Sequence, residues 1–277
     1  MSVTRWLFSL IRSGSSATAY AAGHALRFAV ADEPFGPWDR TGDPYRYPAE
    51  QARLAVDFKA GGKVLTPAIV HAATRVIAGI ERTGGEHGGR ALGVIVKIPH
   101  DRPLPEDVRA TWPAQRHAYL FRNPLHRLNS IWIRGWFDPP PIDPDYDVAN
   151  VKRFAALWAR DPNRARYDDL KRDPDRFFGA LFAAWGMDAT RDRLDRARAY
   201  AAQRYHHASG NIQEDATPQR VLSESRRALP REAVDAYLSD PEIRAIMREA
   251  GWSTRAEDYV APPGVDAPVP SWATTPA

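Results

Sequence analysis

Trp6–Tyr20, WLFSLIRSGSSATAY, decides how this chain is read. A mostly apolar run, Trp6 to Ile11, gives way at Arg12-Ser13-Gly14-Ser15-Ser16 to small, helix-compatible residues. That is the pattern of a buried parallel strand ending in a Gly/Ser turn that opens a helix. At such a junction the first helical N–H groups point outward unpaired and the helix dipole favours negative charge, so the stretch reads as an anion seat.

Working outward, the same alternation recurs. Phe28-Ala29-Val30-Ala31 reads as a second strand that ends in Asp32-Glu33-Pro34-Phe35 and delivers an acid at its C-terminal end, where open α/β sheets place ligands. Leu92 to Val96 reads as a third strand running into Lys97-Ile98-Pro99-His100, and Ala118 to Phe121 as a fourth running into Arg122-Asn123-Pro124. Between them Leu65, Ile69, Val70, Ala73, Val76, Ile77 and Ile80 recur at helical spacing, which predicts a helix over 66–82 with Pro67 near its start. Strands alternating with helices imply an α/β fold with a central parallel sheet flanked by helices.

The rest of the chain is read in the same way. The prolines of Asp138–Asp147, DPPPIDPDYD, exclude helix and central strand, which leaves a lid, a substrate loop or a rigid excursion. Arg164 to Tyr167 reads as a short strand. The helix after Asp173-Pro174 carries Phe177, Phe178, Leu181, Phe182 and Trp185 along one face, a stripe that reads as core. Further helices are expected over 191–205, 218–229, 231–238 and 241–250.

Composition narrows the class. With 277 residues, 44% hydrophobic and 26% charged, the chain can bury a full core. A single domain over 1–260 with a Pro-rich flexible tail over 261–277 is expected. The net charge of +4 comes from basic residues interleaved with acids rather than gathered in blocks, so no nucleic-acid partner is implied. The absence of cysteine removes disulfides, thiolate metal sites and cysteine nucleophiles. No apolar segment of signal or membrane-span length appears, and a cytoplasmic protein is expected.

Three separated islands together resemble the sulfotransferases that use 3′-phosphoadenosine 5′-phosphosulfate (PAPS), in their bacterial type. Arg12-Ser13-Gly14-Ser15-Ser16 is similar to the family's 5′-phosphosulfate loop. Arg122 through Ser130, RNPLHRLNS, is similar to its 3′-phosphate motif, an Arg at a strand end followed eight residues on by a Ser. Arg166-Tyr167-Asp168-Asp169-Leu170 with Asp173-Pro174 is similar to a later family segment. The resemblance implies a P-loop-like sulfotransferase architecture and a donor site of Arg12, Ser13, Gly14, Ser15, Ser16, Ala17, Arg122 and Ser130, with the Tyr167 ring against the adenine. Ser209 and Gly210 stand where the family has a basic, Gly-containing loop, though the basic run itself is missing here.

For the reaction, the resemblance implies sulfuryl transfer from PAPS to a hydroxyl or amine of a carbohydrate, lipid or small molecule, without a metal, leaving adenosine 3′,5′-bisphosphate. Such a transfer needs a base for the acceptor proton. Glu33, in Asp32-Glu33-Pro34-Phe35, and His100 are the two candidates, with Lys97 and Arg12 as cations at the transferring group. A triphosphate loop would need a Gly-Lys pair that this one lacks. A catalytically silent nucleotide- or glycan-binding member of the fold and a divergent P-loop kinase are the alternatives. Trp38, Tyr45, Tyr47, Trp136, Phe137 and Tyr146 are candidate acceptor-wall aromatics or ordinary packing.

Overall fold

The computed structural model describes residues 3–36, 49–84, 91–99, 103–132, 144–202 and 227–262. Its contacts divide the chain into two compact units, Met1–Phe121 with Asp161–Glu214, and Arg122–Arg160 with Asp215–Ala277. No helix among the described residues is long and apolar enough to cross a membrane.

The first unit is built on five strands: β1 (Thr4–Ser9), β2 (Ala29–Asp32), β3 (Val94–Ile98), β4 (Arg116–Phe121) and β5 (Arg164–Arg166). They pair in the order β2-β3-β1-β4-β5, and every pairing is parallel. The fold is therefore the α/β architecture that the alternation implied, with β1 at the centre. The helices of this unit are α1 (Ser15–Leu26), α2 (Ala49–Ala60), α3 (Pro67–Thr83), α4 (Pro105–Thr111), α7 (Asp169–Arg172), α8 (Pro174–Ala184) and α9 (Arg191–Ala202).

Alternation along the strands sends Leu7, Ile95, Ala118 and Leu120 to one face, where they pack with Ala19, Ala22 and Ala25 of α1 and Phe178, Leu181 and Phe182 of α8. The alanines let α1 lie close to the sheet. Trp6 and Phe8 take the opposite face, Phe8 against Tyr119 with ring centres 5.4 Å apart and Trp6 against Trp112 at 4.9 Å. The aromatic stripe after Asp173 is core, as read.

In the second unit lie α5 (Pro124–Trp132), α6 (Pro144–Arg160), α10 (Arg231–Ser239), α11 (Pro241–Glu249) and a 3-10 turn, Ala256–Asp258. Buried Arg127 pairs with Asp147, which also accepts from the Tyr237 hydroxyl. Burial, then the Asp147 charge, pushes the Tyr237 phenol well up, so it remains a donor. Lys152 bridges Asp240 at 3.1 Å and Glu242 at 2.7 Å.

Four differences from the sequence reading have physical reasons. The prolines of 138–147 do not exclude helix throughout: Pro144 opens α6, where the missing N–H costs nothing, and the helix includes Asp147. β3 begins at Val94 and so takes in Lys97. Gly93 precedes it because a Cβ there would sit 2.4 Å from the Val3 carbonyl and 2.8 Å from the Phe28 ring. α2 and α4 were not expected. Gln51, Leu54, Ala55 and Phe58 are buried on one face of α2, a helical pattern with a polar residue in its first place. The small residues from Ala17 to Leu26 read as the first helix, but α1 begins two residues earlier, at Ser15, which puts Ser15 and Ser16 inside it. Of the expected helix over 218–229 the described residues, 227–229, are not helical, and Leu229 instead pairs with Val260 in a parallel bridge; the rest of that stretch and the tail beyond 262 lie outside the described residues.

Candidate functional site

β1 ends at Ser9, and the chain turns through Leu10–Gly14 into α1 with Arg12 at φ 61° and Gly14 at φ 78°. Two left-handed residues within three turn the loop sharply. Gly14 is required twice over, since a Cβ there would also stand 2.0 Å from the Tyr167 ring. Tyr167 is thus buried against the loop, and its own N–H donates to the Phe121 carbonyl at 2.8 Å.

The helix start this produces is unusual in the molecule. α2, α4, α7, α9 and α10 carry an acid in the first turn. Side chains cap α3, α5, α8 and α11: Thr66 for α3, Asn123 for α5, Asp173 for α8 and Asp240 for α11. α1 has neither, only Gly14 as its N-cap. Among the described residues no side chain caps its outward N–H groups and no acid complements its positive dipole end. The Ser13 hydroxyl beside them is fully buried with no hydrogen-bond partner among the described residues, a state that calls for an explanation such as an absent ligand.

Next to the loop, at the ends of β2 and β3, lies a buried charge cluster. Asp32 and Lys97 are register partners in the sheet, which sets their side chains next to each other on the α1 face. Lys97 Nζ lies 2.6 Å from Asp32 Oδ1, 2.7 Å from Glu33 Oε1 and 2.6 Å from Ser16 Oγ. Lys97 is 1% exposed, so these three partners enclose its ammonium, Glu33 and Ser16 by hydrogen bonds and Asp32 as an ion pair.

The cluster is pinned further by Gln51, whose amide donates to the Asp32 carbonyl at 2.8 Å, and by the Tyr20 hydroxyl 3.5 Å from Asp32 Oδ2. Burial pushes the Asp32 carboxyl up, against the pull of Lys97 and with the help of Glu33. Burial presses the Lys97 ammonium down, but Asp32 and Glu33 outweigh it and its pKa stands above the ordinary lysine value.

Glu33 has φ 53°. Arg27 and Lys63 also have positive φ, but Arg27 closes α1 and Lys63 follows α2, where chains commonly turn left-handed. Arg12 and Glu33 instead take that conformation beyond the C-terminal ends of β1 and β2. Both are non-glycine residues held in that conformation at a cost of about 1 kcal/mol each, at the same edge of the sheet.

In the second unit Arg122 is 4% and Ser130 2% exposed. Between them Asn123 accepts from the N–H groups of Leu125 at 3.0 Å and His126 at 3.2 Å, and donates to the Tyr259 hydroxyl at 2.9 Å. Ser130 is therefore not a surface hydroxyl of its helix.

Of the sequence candidates, Arg12 to Ala17, Glu33, Lys97 and Tyr167 belong to the first unit, and Arg122 and Ser130 to the second. Within the first unit the structure brings together Ser16, Glu33 and Lys97, and separately Gly14 and Tyr167. His100, Ser209, Gly210, Trp38, Tyr45, Tyr47, Trp136 and Phe137 lie outside the described residues, as does the side chain of Tyr146. Asp32, Tyr20 and Gln51 were missed. The signal for Asp32 was its place as a carboxylate at the end of an apolar strand, one residue before the acid that was chosen. No group of three or more His, Asp or Glu residues among the described residues is arranged to hold a metal ion.

No family model matches the chain, and no curated protein matches it. Among solved structures it is similar to a sulfotransferase domain from the curacin biosynthetic pathway, with 12% identity and a TM-score of 0.43, over 91% of this chain and 99% of that one. It is also similar to a sulfotransferase domain from the Synechococcus PCC 7002 olefin synthase, with 15% identity and a TM-score of 0.40, over 91% and 96% respectively.

Proposed function

We propose that this chain is a sulfotransferase that moves a sulfuryl group from PAPS to the hydroxyl or amine of a glycan, lipid or other small molecule. The observation that carries the proposal is the start of α1: a left-handed Arg12/Gly14 loop, no side-chain cap, no acid in the first turn, and a fully buried Ser13 hydroxyl without a partner. These features suit a phosphosulfate. The missing Gly-Lys and the engagement of Lys97 with Asp32, Glu33 and Ser16 leave no lysine of the loop's surroundings for a γ-phosphate.

In this reading the acceptor oxygen or nitrogen attacks sulfur in line, the bond from sulfur to the bridging phosphate oxygen breaks, and that oxygen keeps the electron pair. Arg12, the amides of the α1 start and the hydroxyls of Ser13, Ser15 and Ser16 neutralise the charge that collects there. The acceptor proton goes to Glu33 or His100. Arg122 and Ser130 remain the proposed 3′-phosphate ligands on the strength of their motif spacing, with Tyr167 behind the loop. Ser209 and Gly210 stay as possible donors by position in the sequence.

Arg12→Gly is the sharpest test, because glycine keeps the left-handed turn while the side chain with its guanidinium is removed. The variant should melt no lower than the parent yet lose affinity for adenosine 3′,5′-bisphosphate in calorimetry. Unchanged affinity sinks the proposal. Transfer of labelled sulfate from PAPS to an acceptor panel then separates an enzyme from a silent binder, with Glu33→Gln and His100→Ala choosing the base.

A further inference from the structure

A lysine at the end of a central strand invites the role of a cation touching the transferring group, but the geometry gives Lys97 other work. Its ammonium is ion-paired with Asp32 and donates hydrogen bonds to Glu33 and Ser16, and at 1% exposure it is enclosed by these three partners. The contact with Ser16 also fixes the serine. An ammonium cannot accept a hydrogen bond, so Ser16 Oγ must be the acceptor in that 2.6 Å contact, and the serine's own proton has to point elsewhere. Ser16 is the second residue of α1, in the uncapped turn whose N–H groups face out of the helix start.

We infer that Lys97 acts through Ser16: anchored by Asp32 and Glu33, its ammonium takes a lone pair of Ser16 Oγ and makes that hydroxyl a dedicated donor to the anion at the α1 start. Asp32 and Lys97 are thus positioning residues, and Ser16 is the group that touches the ligand. The inference rests on the phosphosulfate reading of the loop. A hydroxyl free to rotate divides its proton among neighbours, whereas one already accepting from a buried cation is oriented and polarised before the ligand arrives.

The test is a mutant cycle on the full chain, read by calorimetry with two probes, adenosine 3′,5′-bisphosphate and inorganic sulfate. Lys97→Met alone would strand two carboxylates, so it is combined with Asp32→Asn, which removes one charge of each sign. Ser16→Ala in the parent should weaken both probes about tenfold or more, the scale of a hydrogen bond to a charged group. In the D32N/K97M background the same substitution should cost less than about twofold, because the hydroxyl there is no longer oriented. If D32N/K97M does not fold, D32N/K97L, which likewise has no donor for Ser16, serves as the background.

A full-sized Ser16→Ala effect in the background that lacks Lys97 overturns the inference, as does no effect in the parent. A purely structural role for the cluster would lower affinity in the background yet leave the Ser16→Ala factor intact. If sulfate binds and the nucleotide does not, the PAPS reading fails, while the cycle run with sulfate still decides the inference. If the folded parent binds neither probe, both fall.

Discussion

Two helices in this molecule begin directly after strands at places where the proposed function would put a phosphate, and they begin in opposite ways. α1 starts bare, with Gly14 as N-cap and neither a capping side chain nor an acid in its first turn. α5 starts closed: Asn123 accepts from Leu125 and His126 and is itself held by Tyr259, whose hydroxyl donates to the Ser253 carbonyl at 2.7 Å. An anion at α1 can be bound by backbone amides and dipole, whereas one at α5 must be bound by side chains, of which Arg122 and Ser130 are the proposed pair. Strand-then-helix is thus only a frame, and the residue at the junction decides whether the amides are offered or consumed.

The largest expected effect falls on the bare start. Gly14→Ala combines a left-handed φ of 78° with a Cβ 2.0 Å from the Tyr167 ring, and it should lower stability by about 3 kcal/mol in urea denaturation. Gly14→Ala with Tyr167→Ala should behave differently, since removing the ring relieves the clash and leaves only the backbone strain. If the single substitution is silent, the loop does not need its close approach and the comparison loses its first half. On the closed start, Asn123→Ala should cost about 1–2 kcal/mol, the range for losing a cap. Asn123→Asp keeps the acceptor for both amides and should recover most of that in the same denaturation series.

Much of this frame was legible in the sequence, and the reasons are local. The strand ending at Arg12-Ser13-Gly14 is visible because apolar runs and a Gly/Ser turn are encoded by neighbouring residues. The helix at 67–83 is visible because its buried face repeats at 3.6 and Thr66 accepts from Ile69 N–H as its cap. What escaped depends on partners far along the chain. Asp32 and Lys97 are 65 positions apart by number and meet only because β2 and β3 pair in that register. Lys97 looked like a residue beyond its strand because a charge seldom sits inside a central strand unless paired, and its pairing lies on another strand and on α1. The Asn-Pro at 123–124 was read as part of a motif, although Asn before Pro at a helix start is also a capping signature that needs no ligand.

A smaller change would turn the bare start into a closed one. Ala17→Asp puts a carboxylate into the first turn of α1, where the dipole should reward it with about 0.5 kcal/mol of stability in the ligand-free chain. The same variant should lose most of its thermal shift on adding adenosine 3′,5′-bisphosphate or sulfate, because the seat is then filled from within. A variant that is stabilised and still binds the nucleotide undiminished would show that the α1 amides are not the anion's ligands.

The last effect appears only at alkaline pH and reads the charge cluster behind the loop. Lys97 holds its proton more tightly folded than unfolded, burial being outweighed by Asp32 and Glu33. Its contribution to stability is therefore complete below the unfolded lysine value of about 10.4 and drains away as pH climbs through the raised folded value. Asp32 is shifted up as well, by burial first. For a carboxyl that shift favours the folded state at low pH, so protonating Asp32 in mild acid does not undo the fold. Tyrosines in general also ionise at alkaline pH and act on the same melting curve. The informative quantity is accordingly the melting temperature of the parent minus that of D32N/K97M, both of which keep the tyrosines. That difference should stay level from pH 6 to about 10 and fall above it; a difference that stays level to pH 12 would mean that Lys97 is not held by its two carboxylates, and Ser16 would then lose the cation that orients it.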